Sequence, residues 1–304
     1  MNKLLNFDTI VYHSPCSDGN TALWCACNYK DISEKIPSKA GVAPSIDYNN
    51  KNVLFVDLCP KIATLNEICK SAKNVVVLDH HKSSLDDFEV NKDICPNNLH
   101  IILDMAKSGC QITWNYFFED KPKPWFVDYV ADRDLWKWQL PNSKAINQVL
   151  FENNMLDAYD LDAISSIVNY SEKQIDELVK EGNLLLKIQK KQLDLSISRA
   201  IEVSMPVGNT IYNVWLGNIT YGDRSEFGNL LANKPMSNGS LPDFSATWIY
   251  EPKLNEWWIS LRGHKNSPDL SAIAGFFGGG GHQKASGFTI KTPRVLCDVF
   301  IIKQ

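Results

Sequence analysis

Absences narrow this sequence first. The chain has 304 residues, yet no apolar run approaches the roughly 18–20 residues that span a bilayer. Its opening, MNKLLNFDTIVYHSP, has no long apolar core and no small-residue cleavage site, so no signal peptide is expected. No Cys-x-x-Cys occurs among the eight cysteines (16, 25, 27, 59, 69, 95, 110 and 297), and their scatter disfavours a disulfide framework or a zinc ribbon. Reduced, mostly buried thiols are the expectation, with Cys16 set apart by its position. Excess basic charge is missing too: 31 Lys and Arg face 35 Asp and Glu, a net charge of -4. That balance excludes a broad basic face for long duplex nucleic acid. Internal repeats and low-complexity segments are also lacking. The expectation is a cytoplasmic chain with no membrane partner, long enough for two ordinary cores.

What is present has an ordered texture. Thr9–Tyr12, Asn52–Asp57, Asn74–Asp79 and His100–Asp104 are near-continuous apolar runs, the pattern of strands buried on both faces in a parallel sheet. Helical spacing lies between them at Gly19–Tyr29, Pro60–Ala72 and Ser108–Phe118. This alternation predicts an α/β fold with a doubly wound parallel sheet over residues 1–150. A helical connector follows over 151–204; its long helix opens on a capping box, Ser171 with Gln174. After Met205-Pro206 the strand-like runs Ile211–Leu216, Ser245–Tyr250 and Glu256–Leu261 indicate a smaller α/β domain over 205–304.

Polar residues gather where the predicted strands end. His13 follows the first, with Asp18-Gly19 five residues on; Asp57 ends the second, and Asp79-His80-His81 the third. In an open α/β sheet these ends converge on one crevice. A single Asp there reads equally well as a helix cap or turn residue. So many carboxylates together repel one another unless cations neutralise them. Carboxylate and imidazole donors suit Mn²⁺ or Mg²⁺ better than structural zinc.

Asp79-His80-His81 after a Val-rich strand resembles the signature of the DHH phosphoesterase superfamily, which includes oligoribonucleases, cyclic-dinucleotide phosphodiesterases and family II pyrophosphatases. The family's first motif, His-x-x-x-Asp-x-Asp, is matched by His13-Ser-Pro-Cys16-Ser-Asp18, one residue shorter and with Cys16 near the usual first Asp. Its second motif is matched by Asp57. For the fourth, Asp132-Arg-Asp134-Leu-Trp136-Lys-Trp138 offers two candidates for one ligand, and aligning the tryptophans favours Asp134. Downstream, Trp257–Arg262, Arg224–Leu231 and Gly278-Gly-Gly-Gly-His282 resemble the DHH-associated domain. The family's Ser-Gly-Ala helix start is matched by Ser108-Gly109-Cys110, which a simple N-cap explains equally well.

The resemblance implies a hydrolase, a metal-dependent phosphodiesterase acting on short single-stranded oligonucleotides by water activated between two divalent ions, Mn²⁺ preferred and Mg²⁺ possible. It implies His13, Asp18, Asp57, Asp79, His81 and Asp134 as metal ligands, with Asp132 and Cys16 as further candidates. Cys16 is open between a thiolate ligand, a neighbour and a lost ligand. Asp57 or Asp79 would bridge the ions, and His80 would contact the scissile phosphate. Arg262, Gly279, Gly280, Gly281 and His282 would hold the substrate. Consecutive glycines let backbone amides converge on an anion, although a flexible turn is the plainer reading. Alternatives are a cyclic or linear dinucleotide or 3′-phosphoadenosine 5′-phosphate as substrate, and a non-catalytic nucleotide-binding protein with a degenerate metal site. A homodimer is left open. Some of the nine tryptophans could stack on bases.

Overall fold

The computed structural model describes residues 6–119, 121–219, 224–291 and 294–302. The first five residues, part of the segment read as lacking a signal peptide, lie outside these. The chain divides into two compact units, Met1–Leu186 and Lys187–Gln304.

In the first unit, five parallel strands stand in the order β2-β1-β3-β4-β5: β1 Thr9–His13, β2 Glu34–Ser38, β3 Asn52–Val56, β4 Asn74–Asp79 and β5 Leu99–Leu103. Four match the apolar runs. The fifth, β2, was not expected, because Glu-Lys-Ile-Pro-Ser has no apolar run. As an edge strand it needs little burial, and its proline is tolerated there. The sheet is covered on both faces, which explains the continuous apolar runs. Ile10, Tyr12, Leu54, Val56, Val76 and Leu78 pack with α1 (Ser17–Tyr29), α4 (Gly109–Phe118), α5 (Trp125–Asp134), α6 (Ser143–Glu152) and α7 (Leu161–Ser166). The alternate residues Val11, Val53, Phe55, Val75 and Val77 pack against α2 (Ile62–Cys69), with Phe88 of α3 (Lys82–Asn91) beside them. Each such fully buried side chain contributes about 1.5–3 kcal/mol relative to exposure. From β1 the chain passes to β2 on one side and then to β3 on the other. The carboxyl ends of β1 and β3 therefore border the switch point where α/β sheets bind ligands.

Helix α8 (Glu172–Ser198) starts at the expected box: the Ser171 amide donates to Gln174 Oε1 at 3.0 Å. The boundary between the units falls within this helix. The second unit is a mixed sheet in the order β10-β11-β9-β8-β7-β6-β12. Its strands are β6 Ile201–Val207, β7 Thr210–Asn218, β8 Phe244–Glu251, β9 Glu256–Arg262, β10 Gly280–His282, β11 Ala285–Lys291 and β12 Ile301–Ile302. Among the described residues of this sheet, only β7 and β8 pair in parallel. Strand β6 runs through Pro206, earlier than the composition change suggested. Helix α10 (Leu270–Phe276) packs with Phe244, Ile259 and Leu261, whereas α9 (Arg224–Ala232) packs with Trp215. Among the described residues no helix is long and apolar enough to cross a membrane.

Candidate metal centre

Each strand end places one donor segment. β1 ends in His13, and the first turn of α1 carries Asp18. Gly19 is required beside it, since a Cβ there would run into the His13 carbonyl. Asp57 follows β3 with a left-handed backbone, φ 57°. That geometry costs a non-glycine residue about 1–3 kcal/mol and is held only where the surroundings over-determine it. Here the Asp57 amide donates to the Leu78 carbonyl at 2.9 Å. Asp79 ends β4, and His81 is the N-cap of α3.

These side chains meet. His80 Nε2 lies 3.2 Å from Asp57 Oδ1, 3.4 Å from Asp134 Oδ2 and 3.6 Å from Asp18 Oδ2. His13 Nδ1 lies 3.2 Å from Asp57 Oδ2, so the two oxygens of Asp57 face two different imidazoles. His81 Nδ1 lies 2.7 Å from Asp79 Oδ1. Three sets of donor atoms within this unit sit within 4.8 Å of one another: His13-Cys16-Asp57, Asp18-His80-Asp134 and Asp57-Asp79-His80-His81.

Helix α4 completes the site in a way the sequence reading missed. The Gly109 and Cys110 amides donate to Asp18 Oδ2 at 2.6 Å and Oδ1 at 2.9 Å. The positive end of the helix thus grips a carboxylate of the chain itself. Gly109 cannot be larger, because a Cβ would stand 2.6 Å from the Asp57 Cβ. The Ser-Gly-Cys start was visible as a motif; its partner 91 residues away was not.

The structure separates the two candidates of the fourth motif. Asp134 reaches His80, whereas Asp132 turns to the following loop and accepts the Gln139 and Leu140 amides at 2.9 and 3.2 Å. Trp136 and Trp138 in that loop are both left-handed, φ 54° and 52°, and their rings meet edge-to-face at 5.0 Å.

Electrostatics reflect the crowding. Burial and the charges of Asp57 and Asp134 push Asp18 up to about 8. Burial, with Asp57 next, raises Asp134 as well. Burial also opposes ionisation of Asp57 and Asp79, but His13 and His80 outweigh it at Asp57 and hold it well below the usual range. His81 does the same at Asp79, down to about 2. Against burial, Asp134, Asp57 and Asp18 hold His80 well above an ordinary histidine. Two carboxylate oxygens, Asp79 Oδ2 and Asp134 Oδ2, are buried without a hydrogen bond. A buried, unbonded carboxylate oxygen costs several kcal/mol. Divalent cations among these donors would satisfy both atoms and offset the repulsion, so the residues present fit the implied ions.

His80 Nε2 stands amid three carboxylates and His81 lies against Asp79, and both imidazoles fall in the donor set Asp57-Asp79-His80-His81.

In the second unit, His282, Ala285 and Arg262 form one cross-strand row, so Arg262 and His282 share a sheet face about two strand spacings, roughly 10 Å, apart. Arg262 is tethered: Nη2 donates to Ser225 Oγ and Nη1 to the Leu261 carbonyl, each at 2.8 Å. The glycine run is less a loop than expected. Gly280 and Gly281 lie in edge strand β10, and at Gly279 a Cβ would strike the Gly287 carbonyl. Close strand approach alone therefore requires a glycine at 279.

A parallel sheet with this Asp-His array at its strand ends, followed by the mixed sheet carrying Gly-Gly-Gly-His, is a DHH phosphoesterase-type fold. The chain is 31% identical over 296 residues to uncharacterized protein R106 of Acanthamoeba polyphaga mimivirus, covering 92% of this chain and 66% of that one. It is 25% identical over 285 residues to oligoribonuclease NrnB of Bacillus subtilis, covering 86% and 67%. The chain therefore spans about two thirds of the length of these relatives. Among solved structures, the pGpG-specific phosphodiesterase PggH of Vibrio cholerae aligns with a TM-score of 0.46 and 15% identity over 93% of each chain. No known family profile matches the chain.

Proposed function

We propose that the chain is a divalent-metal-dependent hydrolase that cleaves phosphodiester bonds in short single-stranded oligonucleotides. The observation that carries this reading is the convergence of Asp18, Asp57 and Asp134 on His80 Nε2 within 3.2–3.6 Å, with Asp79 Oδ2 also buried and without a hydrogen bond. Similarity to an oligoribonuclease supports the choice of substrate class. Two Mn²⁺ or Mg²⁺ ions, when bound, would supply Lewis acidity toward phosphoryl oxygen and lower the pKa of attacking water.

The chain's own residues divide the remaining work. Asp57, with one oxygen toward His13 and the other toward His80, would serve both halves of the centre. His13 and Cys16 would hold an ion in one half, and Asp18, His80 and Asp134 would hold one in the other. The two α4 amides hold Asp18 fixed, so no reorganisation is needed when substrate arrives. Asp79 orients His81 through Nδ1 at 2.7 Å, and His81 is the proposed proton carrier for the departing oxygen. In the second unit, Arg262, His282 and Gly279, Gly280 and Gly281 are the proposed hold on a substrate phosphate or nucleotide.

An end-labelled RNA ladder, from dinucleotides to long oligomers, tests this with Mn²⁺, Mg²⁺ or chelator. We expect metal-dependent cleavage strongest on the shortest rungs. Equal cleavage of long rungs would remove the length preference, and inertness with every metal would leave the chain a binding protein. Cleavage confined to the dinucleotide would narrow the substrate to that alternative.

A further inference from the structure

The two halves of the centre do not offer the same chemistry. One set joins an imidazole nitrogen, a sulfur and a carboxylate oxygen from His13, Cys16 and Asp57. The other joins one imidazole nitrogen with carboxylate oxygens from Asp18, His80 and Asp134. Asp57 lies between them, 3.2 Å from His13 and 3.2 Å from His80. Soft thiolate donors favour zinc-class ions, whereas oxygen-rich sets suit Mn²⁺ and Mg²⁺.

Cys16 is also placed unlike the other thiols. Cys25, Cys27 and Cys110 pack in one apolar core, Cys59, Cys69 and Cys95 in the other, and Cys297 is exposed. Cys16 belongs to no apolar cluster. It is the N-cap of α1, extended at φ -153° and ψ 132°, and its carbonyl accepts the Asn20 amide at 2.9 Å. That backbone is fixed by the same turn that presents Asp18, so one turn sends a donor to each half.

Building on the proposed metal-dependent reading, we infer that Cys16 is a thiolate ligand and makes the centre asymmetric. The His13-Cys16-Asp57 half takes a zinc-class ion, Zn²⁺, Co²⁺ or Fe²⁺, and the Asp18-His80-Asp134 half keeps Mn²⁺ or Mg²⁺. Binding forms a sulfur–metal bond as the thiol proton leaves to solvent.

Cobalt reports this directly. Chelator-stripped, reduced full-length protein is titrated with Co²⁺ and followed by absorption. The expected result is two bound equivalents, of which one produces a thiolate-to-cobalt charge-transfer band in the near ultraviolet. Cys16→Ser loses that band and still binds the equivalent without it. Cys16→Asp binds two equivalents with no band, and its preference for Zn²⁺ over Mg²⁺ in competition falls. Circular dichroism verifies that both variants fold, and either folded variant suffices. Two equivalents bound by the wild type without the band, or a band that survives in Cys16→Ser, overturns the inference and leaves the metal-dependent reading standing. No cobalt bound by the wild type overturns both.

Discussion

Asp132 and Asp134 stand two residues apart on α5 and do opposite jobs, which a pair of alanine substitutions separates. The Asp132 carboxylate accepts the Gln139 and Leu140 amides at 2.9 and 3.2 Å. Hydrogen bonds to a charged group contribute about 1.5–3 kcal/mol each. Gln139 is exposed and Leu140 half-buried, so water replaces part of what Asp132→Ala removes. The loss is therefore about 2–4 kcal/mol, near the lower end of the sum. The loop it releases is strained, with Trp136 and Trp138 both left-handed at about 1–3 kcal/mol each, and it should relax. Asp134→Ala instead removes a carboxylate whose own charge is disfavoured by burial and by Asp57. Metal-free stability should hold or rise, while Mn²⁺ affinity collapses. Urea unfolding of the metal-free variants and calorimetric Mn²⁺ titration read the two quantities. If Asp132→Ala unfolds like wild type within about 0.5 kcal/mol, as an ordinary surface change would, and it loses Mn²⁺ binding while Asp134→Ala keeps it, the assignment made here is reversed.

Other perturbations follow from the same geometry. Gly109→Ala should cost about 1–3 kcal/mol by overpacking against Asp57 and should weaken Mn²⁺ binding by moving the amides on Asp18. An unchanged melting temperature and titration would count against that close approach. Chelation should lower the melting temperature, since ions at a hundred times their dissociation constant contribute about 2.7 kcal/mol; equal melts with and without Mn²⁺ would refute a built metal site. Asp79→Ala should abolish turnover of a labelled dinucleotide, and largely intact activity would remove His81 from the proton's path. Arg262→Ala should raise KM for di- and trinucleotides with a smaller effect on kcat, whereas an unchanged KM would remove Arg262 from the proposed hold on substrate.

Legibility in the sequence tracked how local the determining physics is. The central strands β1, β3 and β4 were visible because parallel strands covered on both faces must be apolar throughout. Of the two edge strands, which carry no such demand, β5 was visible because its Ile-Ile-Leu run is apolar anyway, and β2, Glu-Lys-Ile-Pro-Ser, was hidden. The start of α8 was readable from Ser171 and Gln174, which satisfy each other within one turn. The grip of α4 on Asp18 spans 91 residues and was not. Ser108-Gly109-Cys110 reads the same whether the helix end faces an anion, a ligand or a neighbouring carboxylate. The glycine run shows the same limit, since the need at Gly279 is a carbonyl on another strand.

The histidines show where pattern gives way to geometry. Asp79-His80-His81 places three donors in a row, and adjacency says nothing about which side of the strand end each will serve. The answer is set by the register of β4 between β3 and β5, which pairs Leu78 with Val56 and Asp79 with Leu103. That register sends His80, 1% exposed, toward Asp57 at the end of β3, and leaves His81 on Asp79. A buried imidazole among three carboxylates is stabilised only while it carries the positive charge that they lack. It therefore stands where a cation is needed. The same crowding raises Asp18 to about 8 and holds His80 well above its ordinary value. On the proposed reading, an ion bound between these groups would displace both protons, and part of the chain's acidic surplus would then serve as ligands rather than surface charge.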